Sequence, residues 1–159
     1  MTRDPTTSGL WVRPATAADI GLLTGFLHEI MAHHGVPPPP AEDLRRTLEE
    51  IVGSTSHEFL LAGAGESVRG TCALIYTLST WSAGRVCELQ DVVVAAGSRG
   101  EGVGRTLLEA AERRAREKGC RRLFLSAETA NLGGHRFYRA LGLSEKAVLW
   151  FERDLTGDP

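Results

Sequence analysis

The stretch VCELQDVVVAAGSRGEGVGRTLLEAAERRAREKG, residues 86–119, narrows the folds open to this chain more than any other. Its first nine residues are largely apolar and rich in valine, and they read as a strand. Its last part, from about Gly102 to Gly119, reads as an amphipathic helix closed by a glycine. Between them, Ser98-Arg99-Gly100-Glu101-Gly102-Val103-Gly104-Arg105 alternates glycines between two arginines. A glycine-rich loop can turn several backbone N–H groups toward one point, and a helix that follows adds the positive end of its dipole. The natural guest of such a loop is a phosphate or a pyrophosphate.

The flanking sequence completes a mixed α/β pattern. LWVRPA alternates and predicts a first strand. Thr16 precedes a helical stretch with Asp19 in its first turn and Ile20, Leu23, Leu27 and Met31 on one face. Gly35 and the prolines at 37–40 stop that helix. AEDLRRTLEEIV predicts a second, short helix, and EFLLAGA and GTCALIYTL flank a turn-rich GESVRG as an antiparallel hairpin. After Gly119, RRLFLSA predicts a strand, LGGHRFYRAL a short helix closed by Gly142, and AVLWFERDL a final strand. This order predicts one mixed α/β sheet with helices on its faces. Residues 1–9 are expected to be a flexible terminus, 10–155 a single domain and 156–159 a tail.

Composition removes several function classes. A formal charge of −2 over 159 residues gives no general attraction to nucleic acid or an anionic membrane. The basic positions Arg113, Arg114, Arg116, Lys118, Arg121 and Arg122 have Glu109, Glu112 and Glu117 among them, as on a solvated helix face. No apolar run approaches the roughly 20 residues a membrane span needs, and the N-terminus lacks the apolar centre of a signal peptide. Cys72, Cys87 and Cys120 are far apart and form no CxxC pair, which suits a reducing cytoplasm. His33 and His34 point about 100° apart on a helix and make no metal pair.

Three phosphate-binding loops compete for residues 99–105. A P-loop needs GxxxxGK[ST]; here Arg105 replaces its lysine and Arg99 stands where its first glycine belongs. A dinucleotide loop needs GxGxxG, and Arg105 occupies its third glycine position. Glu128 lies where a ribose-binding acid would fall, yet the loop sits two-thirds along a short chain and leaves no room for a second half-fold. The third pattern, Arg99-x-x-Gly102-x-Gly104, resembles the acetyl-CoA loop of GNAT-type N-acetyltransferases. VRPATAAD resembles that family's opening strand and helix cap, and DVVVAAGSRGEGVGRTLLEAAERRA its central strand, loop and helix. Asn131 followed by HRFYRALGL resembles its closing helix, so the resemblance runs over about residues 11–153. RPATAAD, YTLSTW and LQDVVV are similar to the diamine and spermidine N-acetyltransferase group within it.

The resemblance implies a mostly antiparallel central sheet with splayed central strands and helices on both faces. It implies acetyl-CoA as acetyl donor, no metal, and a small-molecule primary amine as acceptor, acylated by direct transfer in a ternary complex. It also implies a cytoplasmic protein able to form a homodimer. Carried over, the backbone of Val92, Val93 and Val94 would pair with pantetheine, and an N–H in that run, first that of Val93, would polarise the thioester carbonyl. The N–H groups of Gly100, Glu101, Gly102, Val103, Gly104 and Arg105 would take the pyrophosphate, with Arg99 and Arg105 adding charge. Asn131 would bond the pantetheine arm or cap its helix, and Tyr138 would protonate the departing thiolate.

The general base departs from the family pattern. Polyamine acetyltransferases carry Leu-Glu-Asp on the central strand, and here the triplet is Leu89-Gln90-Asp91. An amide cannot take a proton at neutral pH. Glu88, two residues earlier and on the same strand face under regular pairing, is the first substitute. Asp91 would face the other way unless a bulge intervenes; Glu128, Glu29, His135 and a water chain stay open as alternatives. A non-catalytic acyl-CoA-binding module is the competing reading, supported by Gln90 and opposed by Tyr138.

Overall fold

The structure, a computed structural model, describes residues 9–156. The expected flexible terminus up to residue 8 and the end of the expected tail lie outside the described residues. The chain divides into two compact units, one ending at Ser126 and one beginning at Ala127.

The first unit is built on a five-stranded sheet in the order β1 (Leu10–Pro14), β2 (His57–Ala64), β3 (Ser67–Ser79), β4 (Gly84–Val94) and β5 (Leu123–Phe124). β1 to β4 pair antiparallel in sequence order, and β5 joins β4 parallel. Strand side chains alternate between faces, so β2 and β3 feed two cores at once. Phe59, Leu61 and Ala73 turn to one face, where they meet Leu23 and Leu27 of α1 (Ile20–His33) and Leu44 and Leu48 of α2 (Ala41–Val52). The intervening residues Leu60, Cys72 and Leu74 are also buried, and this second face carries α3 (Val103–Glu117).

α3 lies close to the sheet because β3 has no side chain at Gly70. A Cβ there would fall 2.7 Å from the Val93 carbonyl oxygen and 3.0 Å from Val103 Cγ1. Glu58 fixes the other end of α3: its Oε1 accepts from Tyr76 Oη at 2.6 Å and from Arg114 Nε at 2.9 Å. The entry to α1 is held by Asp19, whose carboxylate accepts from Arg13 at 2.8 Å and from the Thr16 N–H at 2.7 Å.

Both hairpin partners of β3 carry an irregularity. Ala62 faces Gly70 but Gly63 faces Val68, which leaves Arg69 as an extra residue in β3. Thr71 faces Val93 but Ala73 faces Gln90, which leaves Asp91 and Val92 together opposite one β3 position. Asp91 sits at φ +48°, a left-handed conformation that aspartate tolerates better than most side chains. This is a β-bulge, which bends its strand and increases its twist. The pairing of β4 with β5 stops at Glu88, just before it. The expected splay of the central strands is therefore present, and the RRLFLSA stretch keeps only Leu123–Phe124 as strand.

The second unit holds α4 (Leu132–Ala140), followed by a turn and chain without regular secondary structure. The final strand expected over AVLWFERDL is not formed: residues 147–155 have no strand structure, and Val148, Leu149, Trp150 and Phe151 are exposed. An apolar run becomes a strand only by sharing a hydrogen-bond ladder, and this unit by itself offers no second strand. Among the described residues no helix is long and apolar enough to cross a membrane.

Two expectations about stability follow from these contacts. Gly70→Val should lower stability by about 1–3 kcal/mol, read as a lower denaturant midpoint at unchanged m-value; an unchanged midpoint would mean that α3 does not press on the strand. The Arg13 guanidinium holds the Asp19 carboxyl well below the usual carboxylate range, against the opposing effect of burial. A depressed folded pKa adds stability above the unfolded value of about 4, lost as pH falls toward the folded one. Asp19→Asn should therefore flatten the acid side of the stability–pH curve, measured by thermal melts from neutral pH downward.

Candidate active site

β4 lays out the site. Glu88 faces Ile75, Gln90 faces Ala73 and Val93 faces Thr71, so these β4 residues share the sheet face that carries α1 and α2. Glu88 is half-buried and Gln90 exposed, and Gln90 Nε2 donates a 3.0 Å hydrogen bond to Glu88 Oε1. The two residues are thus brought together on one face, with the amide orienting the carboxylate. The bulge sets Asp91 and Val92 together opposite the β3 position between Thr71 and Ala73, and the face of Glu88 and Gln90 is regained only at Val93. Asp91 is half-buried, and that burial pushes its carboxyl pKa up. No hydrogen bond or ion pair engages its side chain among the described residues. Sequence alternation could raise Asp91 only conditionally, because no residue pattern announces the bulge.

Beyond Glu88, among the described residues, no strand pairs with β4 on the β5 side. Val93 is buried, while Val92 and Val94 are half-buried along this open edge. The edge runs into the glycine loop. A short 3₁₀ turn, Ala96–Ser98, follows Ala95, and Gly100 and Gly102 then take φ of +81° and +86°. A Cβ at either glycine would meet nothing, so the need for glycine is purely conformational. Gly102 caps α3, which starts at Val103, one residue after the sequence-based estimate. Among the described residues the N–H groups of Gly102, Val103, Gly104 and Arg105 have no protein acceptor; the first helical bond here is Thr106 N–H to the Gly102 carbonyl at 3.0 Å. A helix start leaves its first donors open, and the dipole of α3 lies behind them.

Charged side chains frame the loop. Arg99 Nε donates to the Val94 carbonyl at 3.3 Å, and its Nη2 lies 3.6 Å from Glu29 Oε1 on α1. Glu29, one of the alternative bases, is thereby engaged by an arginine. Arg105 is exposed on the first turn of α3. Glu101 forms an ion pair with Arg69, the extra residue of β3, at 2.5 Å. The sequence reading did not single out Arg69, which lies 32 positions from its partner.

The second unit carries the remaining candidates. Asn131 caps α4, its Oδ1 accepting from the Gly134 N–H at 2.9 Å, so the capping half of its expected role is realised. Tyr138 is half-buried on α4, with its ring edge-on to Phe137 at 5.1 Å. His135 Nε2 lies 2.8 Å from the Glu128 carbonyl. Burial raises the pKa of Cys72 and Cys120 and pushes that of Cys87 up to about 12, which disfavours the nucleophilic thiolate form of each.

Known proteins are similar to this chain in sequence and in fold. Glucosamine 6-phosphate N-acetyltransferase 1 of Oryza sativa subsp. japonica is 30% identical over 141 residues, spanning 86% of this chain and 82% of that protein. Two solved structures share the fold. One is an aminoglycoside acetyltransferase from an uncultured soil metagenomic sample, with a TM-score of 0.79 at 18% identity over 94% of this chain and 99% of that one. The other is an acetyltransferase from Clostridium acetobutylicum solved with acetyl-CoA, with a TM-score of 0.76 at 20% identity over 92% and 96%. The model of the acetyltransferase (GNAT) family matches residues 26–143, from within α1 to just past α4, and so takes in the bulged strand, the glycine loop and both later helices. The chain belongs to the GNAT family of acetyltransferases.

Proposed function

We propose that this acetyltransferase moves the acetyl group of acetyl-CoA directly to a primary amine of a small molecule, with residues 10–155 working as one catalytic domain. The observation that carries the reading is the unpaired edge of β4 leading into a helix start whose N–H groups are open. A pantetheine amide can continue the ladder along Val92 and Val94, while the open donors of Gly100, Gly102, Val103, Gly104 and Arg105 receive the pyrophosphate and Arg99 and Arg105 add charge. The Glu101 N–H, also expected among them, donates to the Ser98 carbonyl at 3.4 Å instead. The Ala95 N–H donates across to the Arg69 carbonyl of β3, so the Val93 N–H two residues earlier also points to β3 and not to the open edge. The N–H of Val92 or Val94 takes the role expected of Val93 and polarises the thioester carbonyl and then the tetrahedral oxyanion.

Glu88 is the proposed base. The acceptor ammonium gives one proton to its carboxylate, and the freed amine attacks the thioester carbon. The tetrahedral adduct loses its second N–H proton to solvent and collapses to the amide as the C–S bond breaks, and Glu88 returns its proton to solvent. Tyr138 passes its phenolic proton to the sulfur and is reprotonated from solvent. What supports Glu88 over its rivals is the Gln90 hydrogen bond, which leaves one fixed carboxylate where a Glu at position 90 would have made two. The acceptor class to test first is the amino sugar, since a relative matched over most of its length is named for glucosamine 6-phosphate. The neutral Ser79-Thr80-Trp81 gives a long polyamine less to hold, against the similarity to the diamine and spermidine group.

Release of coenzyme A, followed by a thiol-reactive dye with amino sugars, amino acids and polyamines as acceptors, tests the reading. Glu88→Gln should lower kcat by about 10²-fold or more with the acetyl-CoA Kd unchanged; an unaltered kcat would remove Glu88 as base. Gln90→Glu would place a second carboxylate beside Glu88 and disfavour its charged form. The acid limb of the kcat–pH profile should therefore move to higher pH, and an unmoved limb would separate the pair from the chemistry. Tyr138→Phe should depress kcat about tenfold or more without weakening acetyl-CoA binding.

A further inference from the structure

An acid in the middle of an anion-binding loop is out of place. Glu101 lies between the two left-handed glycines, within the run of N–H groups proposed to receive a pyrophosphate. Its charge opposes that guest, and screening removes little of the repulsion inside a Debye length of about 8–10 Å. The chain answers this charge from another element. Arg69 Nη1 sits 2.5 Å from Glu101 Oε2, and both side chains are partly exposed.

The backbone is arranged for this pairing. Arg69 is the extra residue between Gly70, which faces Ala62, and Val68, which faces Gly63. A bulge re-aims a side chain that a regular strand would send to a fixed face. The Arg69 carbonyl accepts from the Ala95 N–H at 2.8 Å, which ties the bulge to the chain just as it leaves β4. Among the described residues, Glu101 has no other ion-pair partner.

We infer that Arg69 is a positioning and charge-compensating residue of the coenzyme site: it binds Glu101, not the coenzyme, and so cancels the carboxylate that would repel the pyrophosphate. This rests on the reading that residues 99–105 hold that pyrophosphate. Arg69 acts through Glu101, so its importance depends on Glu101 being present.

The test is a double-mutant cycle on the full chain, with acetyl-CoA binding measured by titration calorimetry and folding checked by melting temperature. Arg69→Gln should weaken binding about five- to tenfold. Glu101→Gln should bind as tightly as wild type or tighter, and Arg69→Gln in that background should change Kd by less than about twofold. An equal loss in both backgrounds would put Arg69 directly on the coenzyme and overturn the inference. So would no loss at all, or a loss in Glu101→Gln as large as that in Arg69→Gln. Should Arg69→Gln fail to fold, Arg69→Met, which keeps the aliphatic stem and removes the charge, carries the same cycle with the same outcomes. A wild-type chain that binds no acetyl-CoA would instead overturn the pyrophosphate reading, and the inference with it.

Discussion

The site depends on the hydrogen-bond ladder of β4 ending on one side while it continues on the other. Along β3 the strand is paired almost throughout; along β5 it is paired only at Cys87 and Glu88. An unpaired strand edge is a row of donors and acceptors that water, another strand or a ligand must satisfy. The bulge at Asp91 and Val92 lies where the second ladder has stopped, and a bulge both bends a strand and raises its twist. One irregularity thus coincides with the open edge and changes the side-chain parity before Val93. The left-handed conformation of Asp91 has a local cost of order 1–3 kcal/mol, and the packing of Leu89 and Val93 on either side offsets it.

The same strand serves chemistry on one element and packing on both faces. Glu88 and Gln90 share the α1/α2 face with Val93, which is buried there. Gly70 lets α3 approach the opposite face until Val103 and Leu107 touch the strand. That approach fixes where the first turn of α3 begins, and so where its open N–H groups lie. The donors are set by the core and not by any side chain in the loop.

Much of this was legible in the residues. The strand–loop–helix run was plain from valine content, alternating glycines and apolar periodicity, and α2 begins and ends where AEDLRRTLEEIV does. Glu88 and Gln90 were expected on one face, and the regular pairing up to Gln90 put them there. The features that escaped are those set by partners distant in sequence. A bulge is a property of two strands, so Asp91 carries no local sign of it. The Arg69–Glu101 pair joins a strand to a loop 32 residues later. AVLWFERDL has the apolar content of a strand, yet the unit that contains it supplies no neighbour to pair with. Content can be read along a chain; pairing cannot.

The construction of the loop also bears on how such a protein can change over generations. Its donors are main-chain N–H groups, which every residue but proline possesses. Replacement of Glu101 leaves those donors in place, whereas replacement of Gly100 or Gly102 meets the left-handed backbone each adopts, and replacement of the buried Val103 disturbs the packing that sets the helix start. Drift is therefore confined at the two glycines and at Val103. The side chains proposed to meet the acceptor, Glu88 and Gln90, share a face with α1 and α2, where each side chain can be exchanged singly. A lineage built this way inherits a donor grip that point mutation rarely rewrites, beside an acceptor face that point mutation readily does.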